Sequence, residues 1–306
     1  MLGPLVACRG DEQLALGGRR QRAVLGCLLL EPDRDVSIDR IIDTVWTDAR
    51  PPGVLSTVRT YVFHLRQVLE PPHVKGSTPS VVRTAPGGYR LNTTGLELDA
   101  RRFEQLVSAG RSALPADPTT AGEVLRQGLA LWRGEVLSDL DLSHEAVSPV
   151  AGRLSELRLL AVELWVEAEM ALGHGVLDTL EPLLVTHPLR EHLTALRMLA
   201  LYRTGRQADA LAAYHRLRGV LDLELGIRPS REVETLHHQV LQQDPSLFIP
   251  PPSKERTASL REAEPSPLPA LSVGRVDSHG LRGHAVQGQR TVRAARHRPG
   301  VVGCCG

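Results

Sequence analysis

Between residues 53 and 92 the chain carries side chains that donate hydrogen bonds and positive charge, with little negative charge beside them. This stretch holds five basic residues and one acid, whereas residues 29–52 hold six acids and three arginines. Arginine, histidine and hydroxyl groups concentrated in this way are suited to bind phosphate oxygens and the polar edges of nucleic-acid bases. The residues expected to make such contacts are Ser56, Thr57, Arg59, Thr60, His64, Arg66, Arg83, Thr84 and Arg90.

Two predicted helices and a hairpin must position these side chains. The first helix spans 38–46, with Ser37 and Asp39 as candidates for its N-cap. In the second helix, apolar residues repeat at spacings of three and four and predict one buried stripe, formed by Leu55, Val58, Val62, Leu65 and Leu69. The third element is a hairpin over 81–91, whose tight turn is permitted by two consecutive glycines. A helix pair followed by a basic hairpin is typical of a winged helix that reads duplex DNA.

The outward face of the second helix carries the residues expected to read the DNA. Arg59, Thr60 and His64 are expected to reach base edges in the major groove. Arg66 follows on the same face and is expected to contact a phosphate. The alternative interpretation is a solvated helix face, and for each single residue that alternative stays open.

The hairpin and one apolar side chain complete the candidate surface. Arg83 and Arg90 are expected to hold phosphates or to enter the minor groove. Phe63 also faces outward in the predicted helix, and a large exposed apolar residue indicates a partner or a neighbouring domain.

The sequence offers no candidate catalytic, metal or cofactor site. It contains no glycine-rich phosphate loop and no plausible pair of nucleophile and base, and its four cysteines have no metal-type spacing. No segment approaches about 18 consecutive apolar residues, so no membrane partner is expected. No signal peptide is visible, and a cytoplasmic location is the default expectation.

The second half of the chain reads as successive helices from residue 99 to about residue 247. Gly173 and Gly205, 32 residues apart, each follow one apolar helix pattern and precede another. This separation is close to the period of about 34 residues of tetratricopeptide repeats. An ordinary helical bundle remains the alternative. Beyond residue 250 the chain has nine basic residues, four acids and no apolar periodicity, which predicts disorder.

Several blocks of the chain resemble one family, the SARP-type regulators, which activate antibiotic pathways in actinobacteria. The resemblance covers about residues 2–248. The blocks that carry it are Leu16–Leu25, Tyr61-Val62 with Leu65-Arg66, Ala85–Leu91, Leu131–Gly134, His187–Glu191, Leu201–Ala208 and Glu224–Pro229.

The resemblance implies a mainly α chain, with an N-terminal OmpR-type winged helix-turn-helix (α+β) followed by an all-α, tetratricopeptide-like activation domain. It also implies binding as a homodimer to direct repeats in the promoters of secondary-metabolite genes, with recruitment of RNA polymerase. Two positions depart from the family pattern. Many relatives carry Arg where this chain has His64, and a small or polar residue where it has Phe63. Since His cannot make the bidentate guanine contact of Arg, the base preference of the family is not carried over to this chain.

The leading hypothesis is therefore a transcriptional activator, not an enzyme, whose partners are double-stranded promoter DNA and RNA polymerase and which needs no cofactor. The alternative is a signalling adaptor in which the helical domain binds a peptide or protein and a degenerate winged helix serves for protein contact. The adaptor hypothesis stays open because residues 1–100 are nearly neutral, with twelve basic and eleven acidic side chains. The expected domains are 1–96 for DNA binding, 97–248 for activation, and a disordered tail, 249–306, from a truncated or frameshifted relative.

Overall fold

The computed structural model describes residues 1–47, 50–70, 80–248 and 302–303. Apart from the last two, the tail expected to be disordered lies outside the described residues. The described chain forms two compact units: the first contains 1–102 and 131–153, and the second 103–130 and 154–248. The fold class is the one expected, mainly helical with small N-terminal sheets, a winged-helix region and an all-α domain. Among the described residues, no helix combines the length and apolarity that a membrane crossing requires.

The first unit contains two small antiparallel sheets and the helices of the winged helix. Its elements in chain order are β1 (Cys8–Arg9), β2 (Glu12–Gln13), α1 (Arg19–Leu30), β3 (Asp35–Ser37), α2 (Ile38–Val45), α3 (Val54–Leu69), β4 (Val82–Ala85) and β5 (Gly88–Leu91). One sheet has the strand order β3-β5-β4. In the other, β1 pairs with β2 and with a two-residue strand, β6 (Val302–Gly303).

The two helices of the predicted helix-turn-helix begin at different caps. The Ser37 hydroxyl accepts a hydrogen bond from the Arg40 N–H and caps α2, as the sequence predicts. α3 follows Gly53, whose φ of 74° is in the left-handed region that favours glycine. The buried stripe of α3 begins at Val58 rather than at Leu55, which is 49% exposed. The prediction for Leu55 is wrong because no residue in the first turn of α3 is buried, so the core starts one turn later.

The wing is the hairpin of β4 and β5, joined through Pro86 and Gly87. Gly87 adopts a φ of 70°, which explains the glycine at the tip. Gly88 is needed for a different reason: a Cβ there would lie 2.0 Å from the backbone oxygen of Val36 on β3. The close approach of β3 and β5 therefore tolerates no side chain at position 88.

Residues 131–153 extend the first unit beyond the winged helix itself. The carboxylate of Asp139 accepts a hydrogen bond from the Leu5 N–H at 2.6 Å and forms an ion pair with Arg22 on α1. Gly26 on α1 lies so close to Leu140 that an added Cβ would be 2.4 Å from the leucine Cδ1. The winged helix thus shares its core and ion pairs with a segment far along the chain.

The described part of the second unit is built from helices. They are α4 (Asp99–Ala113, from residue 103), α5 (Pro118–Ala130), α6 (His144–Ala171, from residue 154), α7 (Leu177–Thr186), α8 (Glu191–Arg203), α9 (Gln207–Leu225) and α10 (Arg231–Gln242), followed by a short 3-10 helix (Pro245–Leu247). Gly173 and Gly205 both have a left-handed φ, 82° and 78°, and lie at the predicted turns. Ala210 and Ala213 are buried in the core that α8 and α9 share, where small side chains permit close helix packing.

Charged side chains also join the helices of the second unit. Glu163 on α6 is only 2% exposed and is paired with Arg190 at 2.9 Å. The ring of His192 on α8 lies 2.9 Å from the carboxylate of Glu167 on α6 and 3.3 Å from that of Glu232 on α10. The hydrogen bond with Glu167 raises the pKa of His192, and the surrounding carboxylates outweigh the opposing effect of burial.

Candidate nucleic-acid interface

α3 separates its residues into a buried face and an exposed face. Val58, Val62, Leu65 and Leu69 are buried, as their spacing predicts. The side chains left exposed on α3 from the second residue onward are Leu55, Ser56, Arg59, Thr60, Phe63, His64 and Gln67, while Thr57 and Arg66 are half-buried. The structure therefore leaves all three predicted base-reading residues, Arg59, Thr60 and His64, exposed on α3.

The hydroxyl groups near the start of α3 are engaged with its own backbone. The hydroxyls of Ser56 and Thr57 donate to the carbonyl of Gly53, at 2.7 and 3.3 Å. The Thr60 hydroxyl donates to the Ser56 carbonyl at 3.0 Å. In these rotamers the three oxygens can accept hydrogen bonds from a ligand, and they must rotate before they can donate to one.

The side chains of Arg59 and His64, unlike the three hydroxyls, make no hydrogen bond to the backbone of α3 in the described structure. Within the part of the chain that the structure describes, no hydrogen bond or ion pair involves either side chain. A guanidinium has five N–H donors in a planar fork, which matches the two acceptors of a guanine edge. The His64 ring lies beside that of Phe63, with 5.8 Å between ring centroids. Arg59 is thus the cation of α3 whose donors are available for a ligand.

Arg66 has contacts inside the protein instead. Its Nε donates to the carbonyl of Val82 at 2.8 Å, and its Nη2 donates to the Thr84 hydroxyl at 2.9 Å. Its guanidinium carbon lies 5.8 Å from the ring centroid of Tyr89. Arg66 therefore fixes the wing against α3, a role that sequence reasoning missed because no local pattern shows which strand a helix side chain will meet. The phosphate contact predicted for it stays a prediction.

The two arginines of the wing have different electrostatic surroundings. Arg83 is exposed, and its Nε donates to the Ser80 carbonyl at 3.3 Å. The Nε of Arg90 donates to Asp35 at 2.6 Å, because these two residues are directly opposite in the β3–β5 register. That hydrogen bond raises the pKa of Arg90 and lowers the pKa of Asp35. Arg83 consequently offers more uncompensated positive charge to a phosphate than Arg90 does.

Glu70 is the only acid between residues 53 and 92, and it points into the protein. It is 3% exposed. One carboxylate oxygen accepts from the N–H and hydroxyl of Ser80 at 2.8 and 2.6 Å, and the other from the N–H groups of Val81 and Val82 at 2.9 and 3.2 Å. Burial alone would raise the pKa of Glu70, but these hydrogen bonds outweigh it and lower the pKa.

Glu70 therefore ties the end of α3 to the start of β4. Arg9 completes this junction, since its Nη2 donates to the carbonyls of Val68 and Glu70 at 2.9 and 3.0 Å. A cation at a helix C-terminus also complements the helix dipole. Sequence reasoning missed both residues, because a single acid after a helix and a distant arginine give no local signal. Among residues 1–47, 50–70 and 80–248, no group of three or more metal-binding side chains occurs.

The chain is similar to known transcriptional regulators. Residues 11–91 match the family described as "Transcriptional regulatory protein, C terminal", and residues 98–241 match the "Bacterial transcriptional activator domain". The chain is 34% identical to the regulatory protein DnrI of Streptomyces peucetius, over 85% of this chain and 97% of DnrI. It is 39% identical to the regulatory protein AfsR of Streptomyces coelicolor over 88% of this chain, which spans only 26% of AfsR.

One solved structure is also similar. It is that of Mycobacterium tuberculosis EmbR in complex with a low affinity phosphopeptide, and it matches with a TM-score of 0.70 and 36% sequence identity. The match covers 80% of this chain and 65% of that one.

Proposed function

The chain belongs to the SARP-type family of transcriptional regulators, and from this premise we propose that it activates transcription by binding direct repeats in promoters of secondary-metabolite genes. α3 enters the major groove of each repeat, and the wing lies along the adjacent backbone. The observation that carries the proposal is the exposed face of α3, on which Arg59 has no competing partner among the described residues, beside a wing fixed by Arg66 and Glu70.

Base reading is assigned to the middle of α3. Arg59, Thr60 and His64 contact base edges. Arg59 favours guanine because its guanidinium can donate two hydrogen bonds to the guanine edge. Ser56 and Thr57 lie in the first turn, and their hydroxyls contact a phosphate after they turn away from the Gly53 carbonyl.

The backbone contacts are assigned chiefly to the wing. Arg83 and Thr84 are exposed and reach phosphates, while Arg90 contributes less because Asp35 already neutralises its charge. Arg66 acts mainly as a positioning residue for the wing. The only acid of residues 53–92, Glu70, is buried and held by four donors, so it does not face the phosphates.

The second unit is assigned to dimerisation on DNA and to contact with RNA polymerase. Residues 101–250 hold fifteen basic and twenty acidic residues, a balance that does not favour DNA. We keep 1–96 as the DNA-binding segment, 97–248 as the activation segment and 249–306 as a tail. Because Asp139 pairs with Arg22, the DNA-binding segment needs residues 131–153 for full stability, so binding is best tested with the full chain.

The experiment is a gel shift with the full chain and a duplex that it selects from a random library. Arg59→Ala should weaken binding to the selected duplex by about 1–3 kcal/mol and binding to random DNA much less. Arg34→Ala is the matched control, since Arg34 is also exposed and lies in the acidic stretch before α2. Equal losses for both variants, or equal losses on selected and random DNA, contradict the assignment of Arg59.

A further inference from the structure

The exposed face of α3 carries one aromatic side chain that the proposed function does not use. Phe63 is 56% exposed, whereas Phe103 is fully buried. Phe63 follows Arg59 and Thr60 by four and three residues and precedes Gln67 by four, and all of these side chains are exposed. Residues three and four apart lie on the same side of a helix, so Phe63 occupies the centre of this face rather than its edge.

We propose that Phe63 is a specificity-determining residue that contacts the C5-methyl group of a thymine in the major groove. The inference rests on the proposed function, because α3 must enter the groove for the contact to form. A thymine methyl is an apolar group on a base edge, and Phe is among the side chains that pack against it. Arg59 and Thr60 precede Phe63 by about one helical turn and supply polar contacts, and the neighbouring ring of His64 is tilted 56° from that of Phe63.

Water exposure of this ring in the free protein is what makes the contact favourable. Covering the ring with a thymine methyl removes apolar surface from water on both partners. A small or polar side chain at position 63 would bring no such gain, so the preference for thymine is expected to be a property of this chain.

The test uses the full chain and the duplex that it selects from a random library. Each thymine is replaced in turn by deoxyuridine, which lacks only the methyl group. At one thymine in each repeat, this replacement should weaken binding of the unmodified protein about fourfold, the effect of one buried methyl-sized group. In Phe63→Ala the same replacement should have no effect, while binding to the thymine duplex is about tenfold weaker.

Phe248→Ala is the matched control, since Phe248 is 53% exposed and belongs to the second unit. It should keep the full difference between thymine and deoxyuridine. The inference is overturned if deoxyuridine is tolerated at every position, if its effect persists in Phe63→Ala, or if the selected repeats contain no thymine. If the chain selects no duplex at all, the proposed function fails and this inference fails with it. If it selects a duplex but deoxyuridine has no effect, only this inference fails.

Discussion

Replacing Glu70 with Gln tests how the end of α3 holds the wing. The carboxylate accepts four hydrogen bonds, two at each oxygen. An amide keeps one acceptor for Val81 and Val82 but turns an NH₂ group toward the Ser80 N–H. That N–H loses its acceptor inside the protein, which costs about 1–3 kcal/mol, and the remaining bonds lose their charge assistance. We expect Glu70→Gln to lower the free energy of unfolding by about 2–4 kcal/mol at pH 7.

Urea unfolding at several pH values measures this effect and its cause. The folded pKa of Glu70 lies below the ordinary value of 4.5, so its carboxylate stabilises the fold above about pH 4.5. This contribution is lost as the pH falls through the folded pKa. Gln does not titrate, so the difference between the two proteins should shrink toward pH 3. Glu97→Gln, at an exposed glutamate of the same unit, should change little. A difference for Glu70→Gln that is below 1 kcal/mol, or that stays constant from pH 7 to pH 3, refutes the reasoning.

Three further predictions concern the wing and the second unit. Arg66→Ala should weaken binding to all DNA sequences alike, because it frees the wing; a loss confined to the selected duplex in gel shifts would argue against this. Gly88→Ala should lower the free energy of unfolding by about 3 kcal/mol in urea, since its Cβ would meet the Val36 carbonyl, and an unchanged value would contradict the close strand approach. His192, whose pKa is raised by Glu167, stabilises the fold below about pH 6.5 and loses this contribution as the pH rises through its folded pKa. The free energy of unfolding should therefore fall between pH 6 and 8, and His192→Gln should remove this fall. An unchanged fall in the variant would show that another group titrates.

Local pattern was sufficient to predict the elements of the site. The spacing of Val58, Val62 and Leu65 fixes which face of α3 is buried, and therefore which residues remain outside. Gly87 lies at the tip of the predicted hairpin and has the left-handed φ of 70° that explains a glycine in the tight turn. Such features depend on a few neighbouring residues, so they can be predicted without knowledge of the tertiary structure.

Pairings between distant segments could not be predicted in this way. Asp35 and Arg90 are 55 positions apart and meet only because β3 and β5 align in one register. Arg66 likewise meets Thr84 only because α3 packs against the wing, and no repeat in the sequence shows that packing. Leu55 continues the apolar spacing of α3 and is nevertheless exposed, since spacing alone does not show where the core ends. The sequence thus predicts most of the residues that face outward, and the tertiary structure decides which of them remain available to a ligand.

Dimethyl sulfate protection of the selected duplex shows whether α3 reads the major groove, because this reagent methylates guanine at N7 in the major groove and adenine at N3 in the minor groove. With α3 in the groove, we expect the full chain to protect guanine N7 in each of two direct repeats, about one helical turn or a multiple of it apart. In Arg59→Ala, protection of one guanine per repeat should be lost while the others remain. Protection limited to adenine N3, or an identical pattern for the two proteins, would contradict the claim that α3 reads the DNA through Arg59.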